Sequence, residues 1–349
     1  MSVLAAVFFL TGFRVQSQNN SNANVQLHHF GNFGGHHIPN IWDAYLEDSK
    51  IYIELTGEDW ITGRTYPLAE LGKLPGKTEG TFTLSREAGS ITFKGIFEGG
   101  KGHGFFKFTE NASFRAYLEG QGFKNLDNEL MVHIFLTDIN KGYFDNLKAN
   151  GYPTITNEQL KDLAEQNLDH KAFNDYFAMF KTENWGHQSL DKIIELREHG
   201  VNANFLNSFR EMGYKDKIPV DKAMELRDHG VSPEYITSIQ KMGFRKITLE
   251  KAVELRDHGV SVDFINSIRD MGYNNLTLDM AMELRDHGVS PDFMRSINAL
   301  GFKDLTLDKA RELRDHGVSV AFIKKVQGKG TNMRSLDDYI RLKDNGFNE

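Results

Sequence analysis

The chain has 349 residues, 40% hydrophobic and 26% charged, enough apolar material for sizeable cores and too much for a wholly disordered chain. Its 41 basic and 48 acidic side chains leave a net charge of −7, which argues against nucleic acid or an anionic membrane surface as the main partner. Cysteine is absent, so disulfides, zinc–cysteine sites and thiol nucleophiles are excluded.

The first element is the uncharged stretch Val3 to Phe13. As a helix it would rise only about 16 Å, well short of the roughly 30 Å of a bilayer core. Its length suits a signal-peptide core, and Val15 and Ser17 give the small residues of a cleavage after Ser17. No Lys or Arg precedes Val3, which leaves two readings of residues 1–17: a signal with a weak basic region, or the remnant of a longer membrane segment. Both place the remainder outside the cytoplasm, with any membrane tether through this segment alone. A cysteine-free exported protein is ordinary in bacteria, so the expected location is periplasmic, secreted or associated with a bacterial outer envelope.

Residues 18–40 are rich in Asn, Gln, Gly and His without periodicity and read as a flexible linker. The pairs His28-His29 and His36-His37 could ligate a metal, but nothing nearby fixes a geometry, so a polar spacer is the better reading. Residues 41–110 read as a small antiparallel β domain. From Ile51 to Phe108 the pattern alternates: Ile51, Ile53 and Leu55, then Phe82 and Leu84, then Ile91 and Phe93, then Phe106 and Phe108. This predicts a meander of four or five strands with one apolar face. Residues 99–104 superficially resemble a phosphate loop but lack the Walker spacing and link strand to strand, so they read as a hairpin turn.

Residues 111–349 are an array of about 29 residues per unit. The string E-L-R-[DE]-H-G-V begins at Glu195, Glu225, Glu254, Glu283 and Glu312, and a degraded copy surrounds Leu342. A second beacon, Gly then Tyr or Phe, stands at Gly213, Gly243, Gly272 and Gly301, with weaker copies at Gly122 and Gly151. Each unit predicts two short helices. In one copy Thr248 caps a helix with the stripe Leu249, Ala252, Val253 and Leu255, which Gly259 ends. Ser261 caps a second, with the stripe Phe264, Ile265, Ile268 and Met271. Neither helix is long enough to persist alone, so stacking must bury both stripes. The expected fold class is α+β: a small antiparallel sheet domain followed by an α-solenoid of two-helix repeats.

The repeated histidines His199, His229, His258, His287 and His316 each follow a glutamate by four residues. A closed zinc site needs about four ligands, and stacked helices lie about 8–10 Å apart, so a structural role is preferred: a bond to that Glu or to a terminal carbonyl. Five imidazoles at equivalent positions also suggest a pH-responsive stack. The candidate interaction ladder is Arg227-Asp228, Arg256-Asp257, Arg285-Asp286 and Arg314-Asp315, read either as a partner-recognition ladder or, preferably, as a solvated face with weak unit-to-unit ion pairs.

The β segment GSITFKGIFEGGKGHGFFKFT, followed by units such as LTLDMAMELRDHGVSPDFMRSINALGF, resembles the repeat-bearing regions found C-terminal to bacterial BlaR-type antirepressor membrane metallopeptidases. The resemblance covers roughly residues 50 to 349 and implies an extracytoplasmic module. It supplies no activity, because no HExxH motif is present to carry over the peptidase zinc site. No nucleophile elbow, P-loop or dinucleotide fingerprint occurs either, and no cofactor is expected. The leading expectation is a non-enzymatic module that binds a protein partner. The alternatives are a sensory or regulatory domain of a BlaR-type envelope system, and a hydrolase with a site between sheet and repeats using His103, Asp138, Trp185 or His187.

Overall fold

A computed structural model describes residues 40–58, 60–330, 333 and 335–347. The expected signal segment 1–17 and its cleavage after Ser17, and the spacer to residue 39 with its two histidine pairs, lie outside the described residues. The chain divides into two compact units, Met1–Ala172 and Phe173–Glu349.

The first unit holds six strands: β1 (Ile41–Glu47), β2 (Lys50–Thr56), β3 (Ile61–Pro67), β4 (Gly80–Arg86), β5 (Gly89–Glu98) and β6 (Lys101–Glu110). They form one antiparallel sheet in the order β3-β2-β1-β6-β5-β4. The strands therefore form two three-stranded meanders joined where β1 pairs with β6, which leaves β3 and β4 at the edges. The extra strand is β1, whose Trp42 and Ala44 face the core while Asp43 and Tyr45 face outward. Trp42 stands edge-on to Phe82 at 5.2 Å and donates its indole N–H to the Phe105 carbonyl at 3.1 Å.

The β5–β6 turn is Gly99-Gly100 alone, both with positive φ (57° and 80°), as a two-residue hairpin of right-handed twist requires. Gly102, His103 and Gly104 belong to β6, so the expected turn is shorter than the glycine run. Gly102 is needed within the strand because a Cβ there would lie 2.5 Å from the Phe97 ring.

Four helices share this unit: α1 (Ala112–Gly120), α2 (Asn128–Thr137), α3 (Lys141–Ala149) and α4 (Asn157–Glu165). Helix α2 is buried from Met131 to Thr137 and lies on the apolar sheet face, where Phe135 meets Phe108 at 5.4 Å. Arg86 of β4 reaches its C-terminus and donates to the Phe135 and Leu136 carbonyls, both at 2.8 Å. The Tyr143 hydroxyl of α3 donates to the Leu168 carbonyl at 2.6 Å.

The helix α5 (His170–Glu183) runs from the first unit into the second. The second unit then continues as helix pairs. Its first helices are α6 (Leu190–Glu198), α8 (Val220–Asp228), α10 (Leu249–Asp257), α12 (Leu278–Asp286), α14 (Leu307–Asp315) and α16 (Leu336–Asp344). Its second helices are α7 (Ala203–Glu211), α9 (Pro233–Lys241), α11 (Val262–Arg269), α13 (Pro291–Ala299) and α15 (Val320–Gly328). The protein is thus α+β, with a small sheet followed by helical repeats.

Local chemistry fixes the helix ends. Thr248 accepts from the Lys251 amide and Ser261 from the Phe264 amide, each at 3.1 Å. Gly259 follows the first helix with φ 65°, the left-handed stop that a residue with a Cβ resists. Ala252, Val253, Leu255, Phe264, Ile265 and Ile268 are all buried. The stripes are shorter than expected, because Leu249 is half-buried at the helix start and Met271 lies half-exposed in the turn beyond α11. Gly122 and Gly151 share the positive φ of the later beacon glycines, 98° and 93° against 102° at Gly213, so the weaker copies keep the repeat's turn.

Candidate interaction surface

The repeated charges of the second unit are largely engaged in joining neighbouring repeats. Each arginine of the ladder folds back over an aromatic ring of the preceding unit. Arg227 lies 3.9 Å from the Phe205 ring centroid, Arg256 4.9 Å from Tyr235, Arg285 5.3 Å from Phe264 and Arg314 5.2 Å from Phe293. Arg227 also donates to the Gly200 carbonyl at 2.8 Å, and Arg256 to the His229 carbonyl at 3.2 Å. Burial holds the Arg227 pKa below its usual value.

The aspartates of the ladder pair with histidines of the preceding repeat. Asp228 meets His199, Asp257 meets His229, and Asp315 meets His287; Asp286 meets His258 at 2.5 Å and Asp344 meets His316 at 2.8 Å. The side-chain bond expected to a glutamate of the same helix is replaced by this bond to the next repeat. Each histidine is the C-cap, so only its backbone amide turns back to that glutamate's carbonyl. Lysines add further links: Lys251 bridges Glu254 and Asp279 at 2.8 Å each, and Lys309 holds Glu312 and Asp337.

Tyrosines tie the repeats from inside. The Tyr176 hydroxyl donates to the Val201 carbonyl at 3.0 Å and Tyr235 to Val260 at 2.7 Å. Desolvation pushes the pKa of both phenols up to about 12. Trp185, Tyr214 and Tyr273 make the corresponding bonds from the beacon position, to the carbonyls of Ile218, Ile247 and Leu305.

A row on the second helices is also open to solvent. Asn207, Thr237, Asn266, Arg295 and Lys324 recur at spacings of 30, 29, 29 and 29 residues, all exposed except the half-exposed Thr237. Beside the row an open groove of about 380 Å³ lies between α7 and α9, lined among others by Ser208, Met212, Thr237 and Lys241.

The residues considered for hydrolysis have other surroundings. His103 is exposed on the outward sheet face, opposite Asp43 and Ile96 in register. Asp138 caps α2 in the left-handed region, 3.9 Å from Arg86 on the inward side of the sheet. Trp185 is a structural donor and His187 is exposed. Among the described residues, no group of three or more His, Asp or Glu is placed to hold a metal ion.

Sequence reasoning missed the outward sheet face. Tyr45 and Phe105 are 47% and 57% exposed there, large enough fractions to make them surface residues despite their size. Tyr45 stacks on Tyr52 at 6.1 Å. Glu54, in register with Asp43, has its pKa raised by burial and then by that neighbouring charge. It also missed His133 of α2, fully buried edge-on to Trp60 at 5.4 Å with Glu129 3.8 Å away. The signal for the sheet face was the alternation Trp42, Asp43, Ala44, Tyr45; nothing in the sequence marked His133. Comparison with protein-family models, with curated proteins and with solved structures finds no match to this chain.

Proposed function

We propose that the protein is a non-enzymatic binding module, exported to a bacterial envelope, whose repeats present an extended surface to a protein partner. The observation that carries this reading is a division of labour between constant and varied positions. The constant Arg, Asp and His of each unit are engaged in coupling the repeats. The row on the second helices instead varies along its length, from the neutral polar Asn207, Thr237 and Asn266 to the cations Arg295 and Lys324. Coupling needs the same side chain at every junction, whereas recognition of an extended, non-repeating partner needs a row that differs along its length. Export rests on the apolar segment Val3 to Phe13.

The test is site-specific photo-crosslinking in the intact cell envelope, with the reactive residue placed in turn at positions 207, 266, 295 and 324. The expected result is one protein adduct of the same mass from several row positions. Control probes at position 286, in the His–Asp links, should give none. Adducts independent of position, or none from the row, would overturn the reading. Intact-mass analysis of the exported protein tests the cleavage after Ser17.

A further inference from the structure

The His–Asp contacts of the second unit form a relay of adjacent residues. His199 bonds Asp228, the neighbour of His229; His229 bonds Asp257, the neighbour of His258. His258 bonds Asp286 beside His287, which bonds Asp315 beside His316, which bonds Asp344. Every first helix from α8 to α14 therefore accepts from the unit before it and offers an imidazole to the unit after it. We propose that this relay is a pH-sensitive coupling, tightening the stack of repeats when the imidazoles are protonated and loosening it when they are neutral.

The argument starts from the atoms. A carboxylate can only accept, so Nδ1 must carry a proton in every link. The neutral imidazole meets this with one tautomer, whereas the imidazolium adds a charge and makes the bond charge-assisted, roughly twice as strong. At His316 the side chain of Asp344 on α16 raises the pKa first, and Glu312 and Asp315 of its own helix add to it. The same link recurs at His258, which bonds Asp286 of α12 and follows Glu254 by four residues. The opposing charge is the ladder cation of the next unit, Arg285 beside Gly259 and Lys343 beside Gly317. Arg285 lies over Phe264, and Lys343 lies over Phe322. In the remaining links Arg227, Arg256 and Arg314 stand beside Gly200, Gly230 and Gly288, the glycines that follow His199, His229 and His287, and Glu195, Glu225 and Glu283 lie four residues before those histidines.

The sign follows from linkage. A histidine whose pKa is raised in the fold contributes stability that is complete below the unfolded pKa, near 6.5, and is lost as pH rises through the folded pKa. The links are about 35–40% exposed on the histidine side, so each is modest and only their repetition matters. This inference is independent of the proposed binding function.

The experiment is amide hydrogen exchange on the full chain at pH 5.5 and 8.5, corrected for intrinsic exchange, in the wild type and in His258→Gln. Amides in the last turns of α10 and α12 should be protected on the order of twofold to fivefold more at pH 5.5 in the wild type. His258→Gln should abolish that difference at its own junction and keep it at the His316–Asp344 junction. Equal protection at both pH values, or an unchanged difference in the variant, would overturn the proposal. NMR titration of the five imidazoles in the wild type decides the matter without a variant. Midpoints above that of the urea-unfolded chain support the relay, and midpoints at or below it refute it.

Discussion

Replacing Arg227 by Met keeps a long apolar stem over Phe205 and removes the guanidinium. The Gly200 carbonyl then loses its 2.8 Å donor, which costs about 1–3 kcal/mol where water cannot replace it. The cation–π contact at 3.9 Å is lost as well, worth about 1–2 kcal/mol for a partly desolvated pair. Against this, Met does not have to be desolvated as a charge, the cost that depresses the Arg227 pKa. The balance is a net loss of about 1–2 kcal/mol, or roughly a fivefold to thirtyfold rise in local opening. Arg285→Met is the internal control, because Arg285 is exposed and 5.3 Å from its ring, and should cost about 0.5 kcal/mol or less. Repeat arrays need not unfold in one step, so the measurement is exchange protection of α6 and α8 amides in the full chain. Equal losses in the two variants, or no loss in Arg227→Met, would refute the claim that burial grades the ladder.

Phe264→Ala should destabilise the α10–α13 region by about 3–5 kcal/mol, read by local exchange; a loss near zero would contradict its core position. Tyr235 should remain a phenol until about pH 12, so its contribution is present below its unfolded pKa of 10.0 and is lost as pH rises through about 12. Ultraviolet titration of Tyr235→Phe should lack a late tyrosinate component that the wild type shows. Because Glu54 is raised, the first unit should lose stability as pH rises through its titration, and Asp43→Asn should move that titration back toward the ordinary range. Carboxyl NMR of the pair checks this, and an unmoved Glu54 would count against the charge coupling.

The repeat and its caps were legible because they depend on local chemistry. Ser261, Gly259 and Pro291 act within a few residues of themselves, and the sequence states where each stands. The sheet was legible strand by strand, but its order was not. The pairing of Trp42 with Gly104 joins residues 62 apart in the chain, and no alternation pattern encodes such a partner. The ladder residues stand out in the sequence by their repetition, but their partners do not. Whether Asp286 meets an arginine or the histidine 28 residues earlier depends on how far successive first helices rotate, a packing quantity. Arg256, Arg285 and Arg314 lie exposed, and the rings beneath the ladder, Phe205 to Phe293, carry no sequence signal because they belong to the previous unit's other helix.

One device recurs wherever these helices end, and helix length explains it. Most helices here have nine residues, and the last four carbonyls of any α-helix lack an internal partner. Most of these are met by the amides of the turn that follows, as where His229, Gly230 and Val231 donate to the Glu225, Arg227 and Leu226 carbonyls, which leaves the carbonyls at and just past the helix end at the negative end of the dipole. Arginines from other elements reach these end carbonyls. Arg227 and Arg256 reach back to Gly200 and His229 behind the first helices. Arg269 reaches the Met242 carbonyl behind a second helix at 2.6 Å, and Arg86 does the same for α2 from the sheet. Where Glu183 replaces the residue equivalent to Met242, Arg210 takes its side chain instead. An array of long helices would have few ends to satisfy and could bind its units by apolar stripes alone. Short helices multiply the ends, so polar links at those ends join the apolar stripes in coupling the units.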